Sequence, residues 1–125
     1  MERKKFTMER LFRASPTIMY KFLSTPDCLI RWFCDEVDIN GQEYSFSWEG
    51  EEEIALLIED SENERLRFEW EDADEGEYLE FKMERSPVTG ETILTLTDWA
   101  DDDEVDDQQK LWDTQLDRLR SATGG

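Results

Sequence analysis

The strongest constraint on this chain is an alternation of apolar and polar residues with a period of two, which recurs between residues 41 and 96. In one such run, Tyr44, Phe46 and Trp48 fall on one side, with Glu43, Ser45 and Ser47 on the other. Because neighbouring side chains of a strand point to opposite faces, the alternation predicts a sheet with one buried and one solvated face. The turns between runs are short, which favours an antiparallel meander over parallel crossovers.

Several other runs repeat this alternation. Residues 3–12 alternate in the same way near the start of the chain. The apolar sets that we expect to share the buried face are Ile54, Leu56 and Ile58; Leu66, Phe68 and Trp70; Leu79, Phe81 and Met83; and Leu94 and Leu96. With residues 3–12 included, the sequence predicts six to seven strands.

Helix signals stand between the first strand and the meander, and again at the end of the chain. Ser15 followed by Pro16 is typical of a helix start, and Thr25-Pro26-Asp27 predicts a second short helix. From about Asp102 to Ser121, a narrow apolar stripe with spacings of three and four predicts a long helix. Its members are Val105, Gln109, Trp112, Leu116 and Leu119.

The order of these elements resembles the helix-grip fold of the START-like superfamily, also called Bet v 1-like or SRPBCC. Three segments carry the resemblance: residues 15–33 resemble the first helix pair, ENERLRFEW (62–70) resembles a strand of the Hsp90 ATPase activator relatives (AHSA1-like), and Trp112, Leu116 and Leu119 match the stripe of the terminal helix. The resemblance implies an α+β fold over residues 1–125, a single START-like domain. In it a curved antiparallel sheet wraps a long C-terminal helix, with two short helices after the first strand.

Charge is distributed unevenly along the chain. Its net charge is −19, and residues 41–125 hold 27 Asp and Glu against 7 Lys and Arg. Such a surface repels phosphate backbones and anionic headgroups, so the sequence predicts no nucleic-acid binding and no membrane insertion. A protein partner with a basic surface remains open, as does a purely solubilising role; the oligomeric state is left open.

The sequence offers little that is typical of a catalytic centre. It contains no His, the commonest general acid or base near neutral pH, so an enzymatic role is not favoured. Cys28 and Cys34 have no third or fourth ligand with them to complete a zinc site, and the acidic run 101–107 lacks the spacing of a calcium loop. We therefore predict no catalytic residue, no metal and no cofactor. The absence of an apolar leader favours a cytoplasmic location.

The interpretation that remains is a non-enzymatic ligand-binding domain. We expect a hydrophobic or amphipathic small molecule to bind between the sheet and the C-terminal helix, unless large aromatic side chains fill that space. The candidate lining residues are Trp32, Phe46, Trp48, Phe68, Trp70, Phe81, Met83, Trp112 and Leu116. The alternatives are a protein-interaction module or Hsp90-type chaperone cofactor that uses the acidic surface and, more weakly, a cyclase- or hydrolase-like enzyme, as occurs in the superfamily.

Overall fold

A computed structural model describes residues 2–124, in which seven strands form one curved, open antiparallel sheet. The strands are β1 (Arg3–Phe12), β2 (Glu36–Asn40), β3 (Glu43–Trp48), β4 (Glu51–Ser61), β5 (Arg65–Trp70), β6 (Leu79–Arg85) and β7 (Thr92–Asp101). The helices are α1 (Pro16–Ser24), α2 (Pro26–Leu29) and α3 (Val105–Ala122), with a 3₁₀ turn, Asp102–Glu104, before α3. The predicted α+β helix-grip architecture is confirmed.

The strand order across the sheet is β1-β7-β6-β5-β4-β3-β2. Strands that follow one another from β2 to β7 are neighbours, as the short turns predict. The first and last strands also pair, in register from Arg3 opposite Asp101 to Phe12 opposite Thr92. This pairing places the start of the chain beside the end of β7, where α3 begins.

The inner face of the sheet carries the core. Alternate residues of β1, β3, β5, β6 and β7 are buried there: Phe6, Met8 and Phe12; Tyr44 and Phe46; Leu66 and Phe68; Leu79, Phe81 and Met83; and Leu94 and Leu96. Aromatic rings pack edge to face within this layer, with 5.1 Å between the ring centres of Tyr44 and Phe68 and 6.5 Å between those of Phe68 and Phe81.

Strand β4 is the exception to the predicted pattern. Ala55 and Leu57 face the core, whereas Leu56 and Ile58 are 46% and 49% exposed on the other side. The expectation that Ile54, Leu56 and Ile58 share the buried face is therefore wrong. The cause is an apolar run on both sides of this strand, and a register shift between Leu57 and Glu59 then interrupts the period of two.

Helices α1 and α2 begin where the sequence predicts, whereas α3 begins at Val105, three residues after the predicted start, because residues 102–104 form the 3₁₀ turn. Ser15 caps α1, its hydroxyl oxygen accepting the backbone N–H of Ile18 at 3.3 Å, and Pro16 opens the first turn. Helix α3 lies in the hollow of the sheet with Trp112, Leu116 and Leu119 buried. Within the described residues, no helix combines the length and apolar character that crossing a bilayer requires.

Candidate ligand-binding groove

The hollow between the sheet and α3 divides into a filled part and an open part. In the filled part, the remaining void is only about 10 Å³, roughly the space that one water molecule needs. Its walls are Leu23, Leu29, Trp32, Phe33, Phe46, Phe68, Leu79 and Phe81. This part of the hollow is core and has no room for a ligand.

The open part is a groove of about 600 Å³ at the end of the domain where α3 begins. We call it the end groove. It is bounded by the first half of α3, the ends of β3, β5 and β7, the starts of β1 and β4, and the loop 71–78. Its apolar lining consists of Phe33, Trp48, Trp70, Ala73, Tyr78, Trp99, Leu111 and Trp112. The volume lies within the range of small-molecule sites.

The aromatic floor of the end groove is held rigidly. The Phe33 ring stacks against Trp112 with 6.0 Å between ring centres and meets Trp48 edge to face at 5.3 Å. The Trp48 indole N–H donates to the carbonyl oxygen of Phe33 at 2.7 Å, and the Gln115 amide reaches the same oxygen at 3.5 Å. Trp70 extends the floor, 6.4 Å from Trp48. The rings therefore present preorganised apolar faces to the groove.

One buried carboxylate lies in the wall between β7 and α3. Asp98 is 9% exposed, and its Oδ2 accepts the indole N–H of Trp112 at 2.9 Å. Burial raises the pKa of Asp98, while bonds from Trp112, the Trp99 backbone and Gln108, together with the charge of Arg3, oppose this rise. Within residues 2–124, no Lys or Arg nitrogen comes within 4.0 Å of this carboxylate.

A second buried acid is paired. Glu77, in the loop 71–78, is 7% exposed and receives two bonds from Arg3, 2.7 Å from Nη2 to Oε1 and 3.0 Å from Nε to Oε2. Arg3 also donates from Nη1 to Asp101 at 3.2 Å. These bonds, with the Glu77 bonds first, raise the pKa of the Arg3 guanidinium above its ordinary value. Among the described residues that line the groove, Arg3 is the one cation, and it is already paired with acids of the groove.

The rim of the end groove is acidic as well. Glu53, Asp72 and Asp74 line it. Partial burial, followed by the charges of Asp72 and Glu51, raises the pKa of Glu53. Six carboxylates and one guanidinium therefore surround the aromatic floor, which gives the groove a strongly negative potential.

The predicted lining residues fall in both parts of the hollow. Trp48, Trp70 and Trp112 come together in the end groove, whereas Trp32, Phe46, Phe68 and Phe81 border the 10 Å³ void. Met83 and Leu116 are buried, and neither lines the groove or that void. The sequence analysis did not identify Arg3, Glu77 and Asp98 as groove residues. An individual charged residue shows no periodic pattern, and the two acids are among 33 in the chain.

The remaining reactive groups are inert or exposed. Cys28 and Cys34 are buried free thiols, and burial raises the pKa of Cys34 to about 12, so that thiol is neutral at physiological pH. The carboxylates of Asp101, Asp103 and Glu104 have oxygens within 4.8 Å of one another. They lie on the surface before α3, where acids commonly cluster without a bound ion.

Comparisons with known proteins agree with the architecture. A family model described as a START-like superfamily domain matches residues 1–125. No curated protein sequence matches the chain. Among solved structures, BfR322 from Bacteroides fragilis is 34% identical, with a TM-score of 0.70 over 100% of this chain and 94% of the other.

Two further solved structures share the fold at lower sequence identity. The Aha1 dimer from Colwellia psychrerythraea is 20% identical, with a TM-score of 0.82 over 96% of both chains. The AHSA1-like protein from Aeromonas hydrophila is 18% identical, with a TM-score of 0.78 over 95% of this chain and 91% of the other. At these identities the likeness extends to the fold alone.

Proposed function

The chain belongs to the START-like superfamily, and we propose that it is a single, non-enzymatic domain of that family that binds an amphipathic small molecule in the end groove. The observation that carries the proposal is the contrast between the two parts of the hollow. Aromatic side chains fill one part almost completely, yet about 600 Å³ stays open beside Phe33, Trp48, Trp70 and Trp112. A groove lined by large aromatic rings, of which Trp48 and Trp70 are only partly buried, next to polar groups is typical of small-molecule sites.

The five tryptophans provide a direct test of this proposal. Their indole N–H signals are resolved in two-dimensional ¹H–¹⁵N NMR spectra, so a ligand can be located by the signals that it shifts. An amphipathic ligand is expected to shift the signals of Trp48, Trp70 and Trp112. Trp32 serves as an internal control, because its indole N–H donates to the carbonyl of Phe22 at 2.9 Å inside the filled core.

A groove-blocking variant sharpens the test. Ala73→Trp on the loop 71–78 places a large side chain at the groove, while Ala73 itself is only partly buried. We expect Ala73→Trp to weaken ligand binding at least about fivefold, whereas Val88→Trp, in the exposed β6–β7 turn, leaves it unchanged. Equal ligand affinities for the wild type, Ala73→Trp and Val88→Trp would refute the location of the site.

Protein interaction is the second candidate function, and a different surface supports it. Leu56 is about half exposed on the outer face of β4 and stands in register between Glu43 of β3 and Glu69 of β5. Exposed Ile58 follows it on the same strand. An apolar strip between acids suits a partner with apolar and basic side chains, and the acidic surface suits an Hsp90-type chaperone partner.

This second candidate predicts an effect on chaperone activity. The domain is mixed with an Hsp90-type chaperone, and the chaperone's ATPase rate is measured as the domain concentration rises. Leu56→Ser should weaken any effect, while Val88→Ser, which exposes the same hydroxyl in the β6–β7 turn, should not. An ATPase rate that does not respond to the wild-type domain would remove chaperone-cofactor activity from consideration.

A further inference from the structure

The end groove contains a buried carboxylate, Asp98, that forms no ion pair within residues 2–124. Asp98 accepts hydrogen bonds from the Trp112 indole, the Trp99 backbone and Gln108, but no Lys or Arg nitrogen of the described residues lies within 4.0 Å of it. Removing a carboxylate from water is costly, and hydrogen bonds and a paired cation each offset part of that cost. Glu77, the other buried acid of the groove, has such a partner in Arg3. Glu77 is therefore paired with a cation, whereas Asp98 is not.

Arg3 acts on Asp98 only through its charge at longer range and forms no ion pair with it. Its Nε and Nη2 are bonded to Glu77, and its Nη1 is bonded to Asp101. Lys4, the neighbouring cation, pairs with Asp102 at 3.0 Å. Of the three basic side chains at the start of β1, Arg3 and Lys4 are thus held by other carboxylates, and Lys5 lies over the ring of Tyr78, 6.0 Å from the ring centre.

The rings next to Asp98 also suit a positive charge. Trp112 donates its indole proton to Asp98 and at the same time lines the groove beside Phe33 and Trp48. The face of an indole or phenyl ring carries negative charge density, which attracts organic cations. Asp72, Asp74 and Glu53 at the rim raise the local concentration of cations and repel anions.

From this juxtaposition we infer that the end groove selects small organic cations, an ammonium group attached to an apolar body, with Asp98 as the anchoring carboxylate. The inference rests on the proposed ligand-binding function and names its ligand class. The ammonium group lies against Asp98 and the ring of Trp112, and the apolar body lies on the floor of Phe33, Trp48 and Trp70.

Three probes with one apolar body test the inference at pH 7.4: 4-phenylbutylamine, which is a cation, 4-phenylbutan-1-ol, which is neutral, and 4-phenylbutanoate, an anion. Each is titrated into ¹⁵N-labelled protein while the indole signals are followed. We expect the amine to bind at least about tenfold more tightly than the alcohol, and the carboxylate to bind most weakly.

Charge-removing variants locate the selectivity. Asp98→Asn keeps an oxygen that accepts the Trp112 proton and should reduce the amine-to-alcohol preference at least fivefold by our estimate, with the alcohol affinity unchanged within about twofold. Asp72→Asn, an exposed rim position that cannot endanger the fold, should reduce the preference about twofold. Asp38→Asn removes the same charge from exposed β2, outside the groove, and should leave the preference unchanged.

The outcomes separate this inference from the proposed function. If all three probes shift Trp48, Trp70 and Trp112 with equal affinity, the groove binds ligands and cation selectivity is refuted. If Asp38→Asn lowers the amine preference as much as Asp98→Asn, the attraction comes from the whole acidic surface and the inference is overturned. If no probe at several millimolar shifts these three signals, the proposed function fails, and the inference fails with it.

Discussion

Trp112 of α3 and Asp98 of β7 are joined by an indole N–H to carboxylate hydrogen bond of 2.9 Å, across the junction between the long helix and the sheet. The bond has two roles. It satisfies a polar atom of a buried ring, and it stabilises a carboxylate that burial disfavours. Stability and the proposed ligand recognition therefore meet at this pair.

Removing the indole donor should destabilise the fold. Trp112→Phe removes the indole donor to Asp98 and should lower the free energy of unfolding by about 1–3 kcal/mol, measured by urea titration with circular dichroism. Trp70→Phe is the matched control, since the Trp70 indole makes no hydrogen bond within residues 2–124. Equal losses in the two variants would mean that the Asp98 bond contributes nothing.

The stability contributed by Asp98 should fall as pH rises. Its pKa is raised in the folded state above the ordinary 3.8, so the folded protein binds this proton more tightly than the unfolded chain does. The contribution is therefore fully present below about pH 3.8 and is lost as pH rises through the folded pKa. Arg3, Gln108 and Trp112 favour the charged form, and Glu77 and Asp101 are the other acids that face this end of β7.

The measurement compares Asp98→Asn with the wild type between pH 4 and pH 7. Since Asn carries no charge, the stability of the variant relative to wild type should increase with pH and then level off, reaching on the order of 1 kcal/mol. A difference that does not change across this range would show that Asp98 titrates as an ordinary surface acid does.

The Arg3–Glu77 pair should matter more than other surface ion pairs. Arg3→Gln leaves Glu77 buried without its cation and should lower the free energy of unfolding by about 1–3 kcal/mol, a range reduced because Arg3 is itself partly exposed. The double variant Arg3→Gln/Glu77→Gln should recover part of the loss. Lys4→Gln, which removes an exposed pair with Asp102, should cost clearly less stability than Arg3→Gln, because solvent screens that pair.

Two leucines on α3 test how the helix sits in the sheet. Leu119 is 0% exposed, and Leu111, two turns earlier, is 54% exposed at the rim of the end groove. Leu119→Ala should cost about 2–5 kcal/mol by opening a cavity, whereas Leu111→Ala should cost less than about 1 kcal/mol. If Leu111→Ala is the more damaging variant, α3 does not pack in the orientation described.

Added salt should stabilise the domain. Mutual repulsion among the charges that sum to −19 disfavours the compact state, and salt screens this repulsion over about 10 Å at 0.1 M. The melting temperature should therefore rise between 10 mM and 300 mM NaCl. A melting temperature that stays constant over this range would contradict the expectation.

Most of the fold could be predicted because it depends on local periodicity. The alternation in β3, β5 and β6 identifies which side chains face inward, and the stripe containing Trp112, Leu116 and Leu119 identifies the buried side of α3. Strand β4 could not be assigned in this way. Its residues 54–58 are all apolar, so both faces fit the pattern, and its bulge has no sequence marker that a period of two can detect.

The site was less predictable than the fold, for a physical reason. Local patterns separate buried from exposed aromatic residues, but they do not tell how completely several rings fill a shared space. Trp48 and Phe68 have the same sequence pattern, yet the first lines an open groove and the second lines a closed core. The Arg3–Glu77 pair joins residues 74 positions apart, and the pairing of both β1 and β6 with β7 brings them together.

The division of the hollow between the sheet and α3 into a filled part and an open part has a practical consequence for protein engineering. The side chains that fill the core and most of those that would contact a ligand lie in different parts of the hollow, with Phe33 lining both. Variants randomised at Glu53, Trp70, Asp72 and Leu111 should therefore remain folded, while the ligand that the end groove binds should change. The domain offers a small scaffold for sensors in which the existing tryptophans report occupancy.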